Sequence, residues 1–108
     1  MSKNQEPYEI VTSEDQLSSL LSSGTVLIEL FSPTWGRCTS IVATVKRWKV
    51  DYLGKDIKFL LVDTNVINQF GQCGSCPRFL VFHNGEQVHD FEGLNVPHIQ
   101  STLEELMD

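Results

Sequence analysis

Long apolar runs, positive charge and cysteine are all scarce in this chain of 108 residues. The longest apolar stretches, Val26–Phe31 and Phe59–Val62, are far shorter than the roughly 20 residues that a membrane-spanning helix needs. Lysine and arginine number 8 against 14 acidic residues, which gives a formal net charge of -6. Because no basic stripe is present, we exclude nucleic acid and anionic membranes as main partners.

The three cysteines are too few to suggest a disulfide scaffold, so they indicate thiol chemistry, metal binding or packing. The first residues, Met1–Pro7, are polar and lack the basic and apolar regions of a secretory signal. We therefore expect a cytoplasmic location. With 41% hydrophobic and 20% charged residues, we expect residues 1–108 to form one globular domain, with residues 1–6 flexible.

Helical and strand patterns alternate along the chain, which predicts an α/β domain. Ser13 and Gln16 have capping-box spacing, Asn84-Gly85 suits a tight hairpin turn, and Asn95 is a candidate helix cap. The predicted strands are Tyr8–Val11, Thr25–Phe31, Ile57–Asp63, Arg78–Phe82 and Gln87–Phe91. Four helices are predicted. The first follows Ser13, the second covers Thr39–Tyr52, the third is a short piece over Val66–Phe70, and the fourth begins near Pro97.

Four local features follow one another in order along this pattern. An acid in an apolar strand, Glu29, precedes the turn that opens the long helix, and Asp63-Thr64-Asn65 follows the next strand. Pro77 opens a strand that ends at Asn84-Gly85, and Gly93 precedes the last helix. This ordered set resembles the thioredoxin family over nearly the whole chain. The resemblance implies a thioredoxin fold, with a central mixed sheet of about five strands flanked by about four helices.

The catalytic motif of that family, Trp-Cys-Gly-Pro-Cys, is altered here. In the family the first cysteine lies at a helix N-terminus, which stabilises its thiolate, and the second resolves the mixed disulfide. This chain has Thr34-Trp35-Gly36-Arg37-Cys38, with Trp35 at the attacking position and Arg37 in place of the proline. A one-residue gap that aligns the tryptophans still leaves one cysteine. Ordinary thioredoxin activity therefore cannot be assumed.

Two side chains near this motif are candidates for the remaining chemistry. Cys38 is either a monothiol, with a pKa that Arg37 could lower, or a small buried packing residue. The resemblance places Glu29 where thioredoxins carry a buried acid that accepts a proton through water. The surrounding apolar run favours burial and a raised pKa for Glu29, and the alternative is a side chain in solvent at a strand edge. Phe59 stands where bacterial members place a lysine near that acid.

The segment Cys73-Gly74-Ser75-Cys76 supplies a second Cys-x-x-Cys spacing, in the loop before Pro77. Pro77 matches the family's cis-proline, so we predict a cis Cys76–Pro77 bond. The fold would bring this loop against the Trp35–Cys38 turn. Four hypotheses follow: a Cys38–Cys76 disulfide, a Cys73–Cys76 redox pair, a zinc or iron–sulfur site of all three thiols, or three free structural thiols.

We assign no metal and no cofactor. A closed zinc site needs four ligands, and the three histidines are predicted on the hairpin and the last helix, away from the cysteine loop. They are His83, His89 and His98. Trp35 would rest over the Cys76–Pro77 loop, where with Gly36 and Arg37 it fills the substrate groove or anchors a partner protein.

Two functions follow from these features. The first is a thiol/disulfide redox protein that uses Cys38 with Cys73 and Cys76. The second is a redox-inactive binding module, because Phe79–Phe82, Asn84-Gly85, Gly93 and Pro97 also resemble thioredoxin modules attached to ciliary dynein or nucleoside diphosphate kinase domains. In both cases the partner is a protein, and we expect a monomer or weak dimer.

Overall fold

One mixed sheet of five strands forms the centre of the computed structural model, which describes residues 7–33, 39–71 and 77–107. The strands are β1 (Glu9–Ile10), β2 (Thr25–Phe31), β3 (Ile57–Asp63), β4 (Arg78–His83) and β5 (Glu86–Glu92). Their order across the sheet is β1-β3-β2-β4-β5. Strands β1 and β2 run parallel to β3, whereas β4 runs antiparallel to both β2 and β5. The sheet is therefore mixed and has β2 at its centre.

Three α-helices accompany the sheet in the described residues: α1 (Glu14–Leu21), α2 (Val42–Asp51) and α3 (Val96–Met107). Two of these helices, α1 and α3, have the N-terminal caps that the sequence predicts. Ser13 Oγ accepts a hydrogen bond from Gln16 N at 3.1 Å, and Gln16 Oε1 reaches back to accept from Thr12 N at 2.8 Å. Asn95 Oδ1 accepts from His98 N at 3.2 Å. Each bond satisfies a backbone donor that the helix or its approach would leave unpaired.

The two faces of the sheet bury separate apolar clusters because successive strand residues point to opposite sides. Leu27 of β2 packs towards α2 and α3, whereas its neighbour Ile28 packs towards α1. On the first face, Trp48 is fully buried and stacks on Phe59 with ring centroids 6.3 Å apart. The result is three layers, with two helices on one side of the sheet and one on the other.

The described residues contain three α-helices, whereas the sequence predicts about four. Val66–Phe70 was predicted as a short helix, but it forms turns. Both Val66 N and Ile67 N donate to Asp63 O, at 3.0 and 2.9 Å, and this single turn is not continued. Packing of the buried Ile67 side chain holds this segment, and helical hydrogen bonds do not. The start of the long helix also differs, since Thr39–Ile41 is a 3-10 turn before α2.

Within residues 7–33, 39–71 and 77–107, no helix has both the length and the apolarity that crossing a membrane requires.

Candidate functional site

The carboxyl end of β2 and the amino end of β4 lie side by side. Leu30 pairs with Arg78, and Glu29 pairs with Phe79 in the antiparallel register. In the sequence, residues 34–38 follow directly after Pro33, and residues 72–76 directly precede Pro77. The two cysteine-bearing segments are thus connected to neighbouring strand ends.

Most of the predicted site residues lie outside the described part of the chain. They are Trp35, Gly36, Arg37, Cys38, Cys73 and Cys76. The Cys76–Pro77 bond includes one of them, so its cis geometry stays a prediction. The pairing of the cysteines and the flexibility of residues 1–6 stay predictions for the same reason.

Pro77 is half-buried, and its carbonyl links the start of β4 to the chain after β5. Gly93 N donates a hydrogen bond to Pro77 O at 2.8 Å. Gly93 has a φ of 93°, a left-handed conformation that glycine adopts without the steric cost of a Cβ. Pro77 and Gly93, which lie apart in the sequence, are therefore hydrogen-bonded to each other in the fold.

Glu29 is fully buried, with 0% of its surface exposed. Its neighbours across both adjacent strands, Leu61 and Phe79, belong to the apolar cluster under α2 and α3. Because residues opposite one another in a sheet share a face, the Glu29 side chain points into that cluster. The apolar run in the sequence favoured this burial over a position in solvent. The chemical role of Glu29 stays a prediction.

Phe59 contributes a ring near this acid. It pairs with Leu27 in the β2–β3 register, two positions before Glu29 and on the same face. Phe59 is 5% exposed and stacks on Trp48, so its role in the described structure is packing. The position that the resemblance associates with a lysine is therefore filled by an aromatic side chain.

The Asp63-Thr64-Asn65 segment closes this end of the sheet between β2 and β3. Thr64 N donates to Phe31 O at 2.8 Å, and Asn65 N donates to the side chain of Asp63 at 2.8 Å. Thr64 is fully buried. This turn fixes the point at which the chain leaves β2, immediately before residues 34–38.

Arg78 is the functional candidate that the sequence did not reveal. Its Nε and Nη2 donate to the two carboxylate oxygens of Asp90, at 3.0 and 2.7 Å, and its Nη1 donates to Phe70 O at 3.0 Å. Hydrogen bonds from Arg78 hold the pKa of Asp90 below its usual value. Phe70 precedes residues 72–76 and Arg78 follows them. The hydrogen bond from the Arg78 guanidinium to Phe70 O therefore links the chain on either side of the second cysteine segment.

The histidines lie on the hairpin and α3, as the sequence predicted. His83 Nδ1 is 3.1 Å from Thr25 Oγ1, at the end of β4 far from Pro77. The rings of His89, Phe91 and His98 form one cluster, with centroid distances of 5.4 and 4.9 Å from Phe91 to the two histidines and 6.5 Å between the histidines. The described residues contain no group of three or more side chains suited to holding a metal ion.

The sheet order, the three helices around it and the Pro77 position define a thioredoxin fold. The family model for Thioredoxin matches residues 8–105, so the chain belongs to the thioredoxin family. The thioredoxin-like fold of the chain follows from this membership.

Two similar proteins extend this result. The chain is 32% identical over 103 residues to a thioredoxin domain-containing protein 3 homolog from Ciona intestinalis, covering 92% of this chain and 16% of that protein. It is 30% identical over 82 residues to the dynein 14 kDa light chain of the flagellar outer arm from Chlamydomonas reinhardtii, covering 74% and 64%. The chain thus spans less than two thirds of the length of either relative.

Among solved structures, a thioredoxin from Malassezia sympodialis superposes with a TM-score of 0.75, covering 100% of both chains. The sequence identity is 20%, so this likeness concerns the fold alone.

Proposed function

We propose that this chain is a thiol/disulfide redox protein with an atypical site, in which Cys38 works with Cys73 and Cys76. Support comes above all from the register of β2 and β4, which joins Leu30 to Arg78 at the strand ends from which both cysteine segments continue. The family's attacking position carries Trp35, so the second thiol must come from the other segment.

The chemistry needs two thiols and one substrate disulfide. A thiolate of the chain attacks one sulfur, breaking the substrate S–S bond and forming a mixed disulfide while one substrate thiolate leaves. The second thiol of the chain then displaces the other substrate sulfur. The chain gains one disulfide and loses two protons, and the substrate gains two electrons and two protons.

Glu29 is proposed as the acid that receives the proton of the resolving thiol, through water. Its complete burial on the α2 face, beneath the end of β2, supports this role. Burial disfavours the charged form of a carboxylate and so increases its affinity for a proton, which suits a group that accepts one.

Protein substrates are proposed to bind beside Pro77. Trp35, Gly36, Arg37 and Cys76 would complete this surface, with Trp35 as an aromatic anchor. The hydrogen bond from Gly93 N to Pro77 O, which fixes the position of Pro77, supports this placement.

Reduction of insulin disulfides by the full chain, with dithiothreitol as the electron source, tests this proposal. We expect turnover above the dithiothreitol background that is lost in Cys38→Ser and in one of Cys73→Ser or Cys76→Ser. Glu29→Gln should slow turnover and alter its pH profile without abolishing the reaction. Mass spectrometry after thiol blocking, with and without reductant, should find a reversible disulfide that joins Cys38 to Cys73 or Cys76.

A wild type without turnover, beside a Trp35→Cys variant that turns over insulin, would refute the redox proposal. That result would favour a second function, a redox-inactive module that binds a partner protein. The similarity to a flagellar dynein light chain favours this alternative, and association with a dynein assembly is its specific form. Retained partner binding after all three Cys→Ser changes would separate the two functions.

The redox proposal includes a cytoplasmic setting, because thiols stay reduced there. It also includes a single domain over residues 1–108, acting as a monomer or weak dimer. A zinc or iron–sulfur site formed by the three cysteines is the minor alternative. Metal analysis of protein purified without chelator decides it, since the redox proposal expects no stoichiometric zinc or iron.

A further inference from the structure

A groove opens at the end of the sheet opposite Pro77 and the carboxyl end of β2. It has a volume of about 320 Å³ and lies between the amino end of β3, the carboxyl end of α2 and the chain before β1. Three lysines and several apolar side chains line it together. The lining residues that matter below are Pro7, Glu9, Lys49, Leu53, Lys55 and Lys58.

Basic residues are concentrated around this groove in an otherwise acidic chain. The described lining residues include three of the 8 basic residues, Lys49, Lys55 and Lys58, and one of the 14 acidic ones, Glu9, a net charge of +2 within a chain of -6. Lys49 Nζ donates to Pro7 O at 3.1 Å, and Lys58 Nζ donates to Ser23 O at 2.9 Å. An ammonium has three donors, so Lys49 keeps donors for a ligand while the Pro7 carbonyl holds it in place. The Lys58 ammonium is directed to Ser23 O, after α1, and is not assigned to the ligand.

An exposed apolar side chain stands beside these charges. Leu53, in the turn after α2, is 78% exposed, and Ile57 and Phe59 form the apolar wall behind it. An exposed leucine flanked by ammonium groups offers contact to a ligand that is both apolar and negatively charged.

We propose that this groove binds a short acidic segment of a partner protein. Carboxylates of the segment pair with Lys49 and Lys55, and one apolar side chain of the segment packs on Leu53. This interaction surface lies at the end of the sheet opposite Pro77, and the proposal does not depend on whether the cysteines exchange disulfides.

Charge favours an acidic peptide over other anions. The residues outside the lining have a net charge of -8, so a long polyanion or an anionic membrane would be repelled beyond the groove. Glu9 within the lining disfavours a dense phosphate group. The groove has lysines and no arginine among its lining residues, and arginine is the side chain that forms two-pronged contacts with phosphate. A spaced row of carboxylates fits these conditions.

Fluorescence anisotropy with the full chain tests the proposal. The probe is a labelled peptide of alternating glutamate and serine with one central leucine, and the comparison peptide has glutamine at each glutamate. We expect the acidic peptide to bind about ten-fold or more tightly than its neutral analogue and to weaken as salt is raised. Replacing its leucine by serine should weaken binding about three-fold.

Matched variants locate the binding. Lys55→Gln and Leu53→Ser leave the two lysine–carbonyl bonds intact and should each weaken the peptide about three-fold or more. Arg47→Gln removes the same charge outside the groove, and Val50→Ser removes an exposed apolar side chain from α2, so neither should change binding by as much as two-fold. Equal thermal unfolding of all four variants would establish that they are folded.

Equal weakening by Lys55→Gln and Arg47→Gln would overturn the proposal, because it would show only a general charge effect. Absence of binding by the acidic peptide would also overturn it. Tighter binding of phosphatidylserine vesicles or single-stranded DNA than of the peptide, lost in Lys55→Gln, would show that the partner class is wrong.

Discussion

The substitution Asp90→Asn removes the negative charge that accepts two hydrogen bonds from Arg78. The guanidinium donates to both carboxylate oxygens, at 3.0 and 2.7 Å, and the side chains are 18% and 36% exposed. Asp90→Asn keeps the size of the side chain but replaces one charged acceptor by an amide group that cannot accept. Arg78 keeps its bond to Phe70 O, so the perturbation is confined to the β4–β5 contact.

The partial exposure of the pair sets the size of the effect. Hydrogen bonds to charged groups contribute about 1.5–3 kcal/mol when well buried, whereas exposed ion pairs contribute about 0.2–1 kcal/mol. We therefore expect Asp90→Asn to lower the free energy of unfolding by about 1.5 kcal/mol at pH 7. For a chain of this length that corresponds to a fall in Tm of about 5–10 °C. Calorimetry or urea unfolding measures it.

The effect should depend on pH in a defined direction. Arg78 lowers the pKa of Asp90 in the folded state, so the folded protein binds this proton less readily than the unfolded chain does. The stabilisation is complete above the unfolded pKa of about 3.9 and is lost as pH falls through the lower folded pKa. The difference in unfolding free energy between wild type and Asp90→Asn should thus shrink between about pH 5 and pH 2.

Glu86→Gln is the matched control, because it removes one carboxylate from the far end of the same strand. It should shift stability by less than about 0.5 kcal/mol. Two results would refute the reasoning: equal losses in both variants, or a difference for Asp90→Asn that persists undiminished at pH 2.

Two further predictions concern the fold. Gly24 has a φ of 78°, and an added Cβ would lie 2.5 Å from Asp56 Oδ1, whereas Gly54 has a similar φ of 86° and open space around it. Gly24→Ala should therefore cost about 2 kcal/mol and Gly54→Ala about 1 kcal/mol in urea unfolding, and equal losses would contradict the role of the contact. Burial and the bond to Glu104 raise the pKa of Tyr52 above its ordinary value, so its stabilisation is complete below about pH 10 and is lost as pH rises further. Unfolding free energy should fall more steeply above pH 10 in wild type than in Tyr52→Phe, and parallel curves would contradict this.

Elements with local signals could be predicted closely from the sequence. The strand Thr25–Phe31 was predicted with its bounds, because a near-continuous apolar run is typical of a strand covered on both faces. The cap at Ser13 was also predicted, since its hydrogen bonds involve residues only a few positions apart. The Val66–Phe70 prediction failed because packing of Ile67, a tertiary effect, replaced helical bonding.

The Arg78–Asp90 contact could not be predicted, because it depends on a bulge in the hairpin. Counting back evenly from the Asn84-Gly85 turn pairs Arg78 with Phe91 and places Asp90 on the opposite face. The structure has a register shift at Val81/Phe82, after which Phe79 pairs with Phe91 and Leu80 with Asp90. This shift buries Phe91 in the core and brings Asp90 to the face of Arg78. No residue pattern in the hairpin signals the extra residue.

In the candidate site too, features set by neighbouring residues in the sequence could be predicted, whereas contacts between strands could not. The burial of Glu29 followed from its neighbours in the sequence, and its contact with Leu61 and Phe79 followed only from strand pairing. The lysine-lined groove was not predicted because its residues come from β1 and the chain before it, from α2 and the turn that follows, and from β3. Only the folded chain brings these elements together.

The central position of β2 has a consequence for the chain as it is synthesised. Its apolar residues pair with β3 on one side and with β4 on the other, and Val26 finds its β4 partner in Phe82. At a translation rate of about 5–20 residues per second, the second partner emerges roughly 3–11 seconds after the strand itself. During that interval one edge of the most apolar strand stays open, which is when a nascent chain depends most on protection by chaperones. A transcript that ended before β4 would leave that edge open permanently.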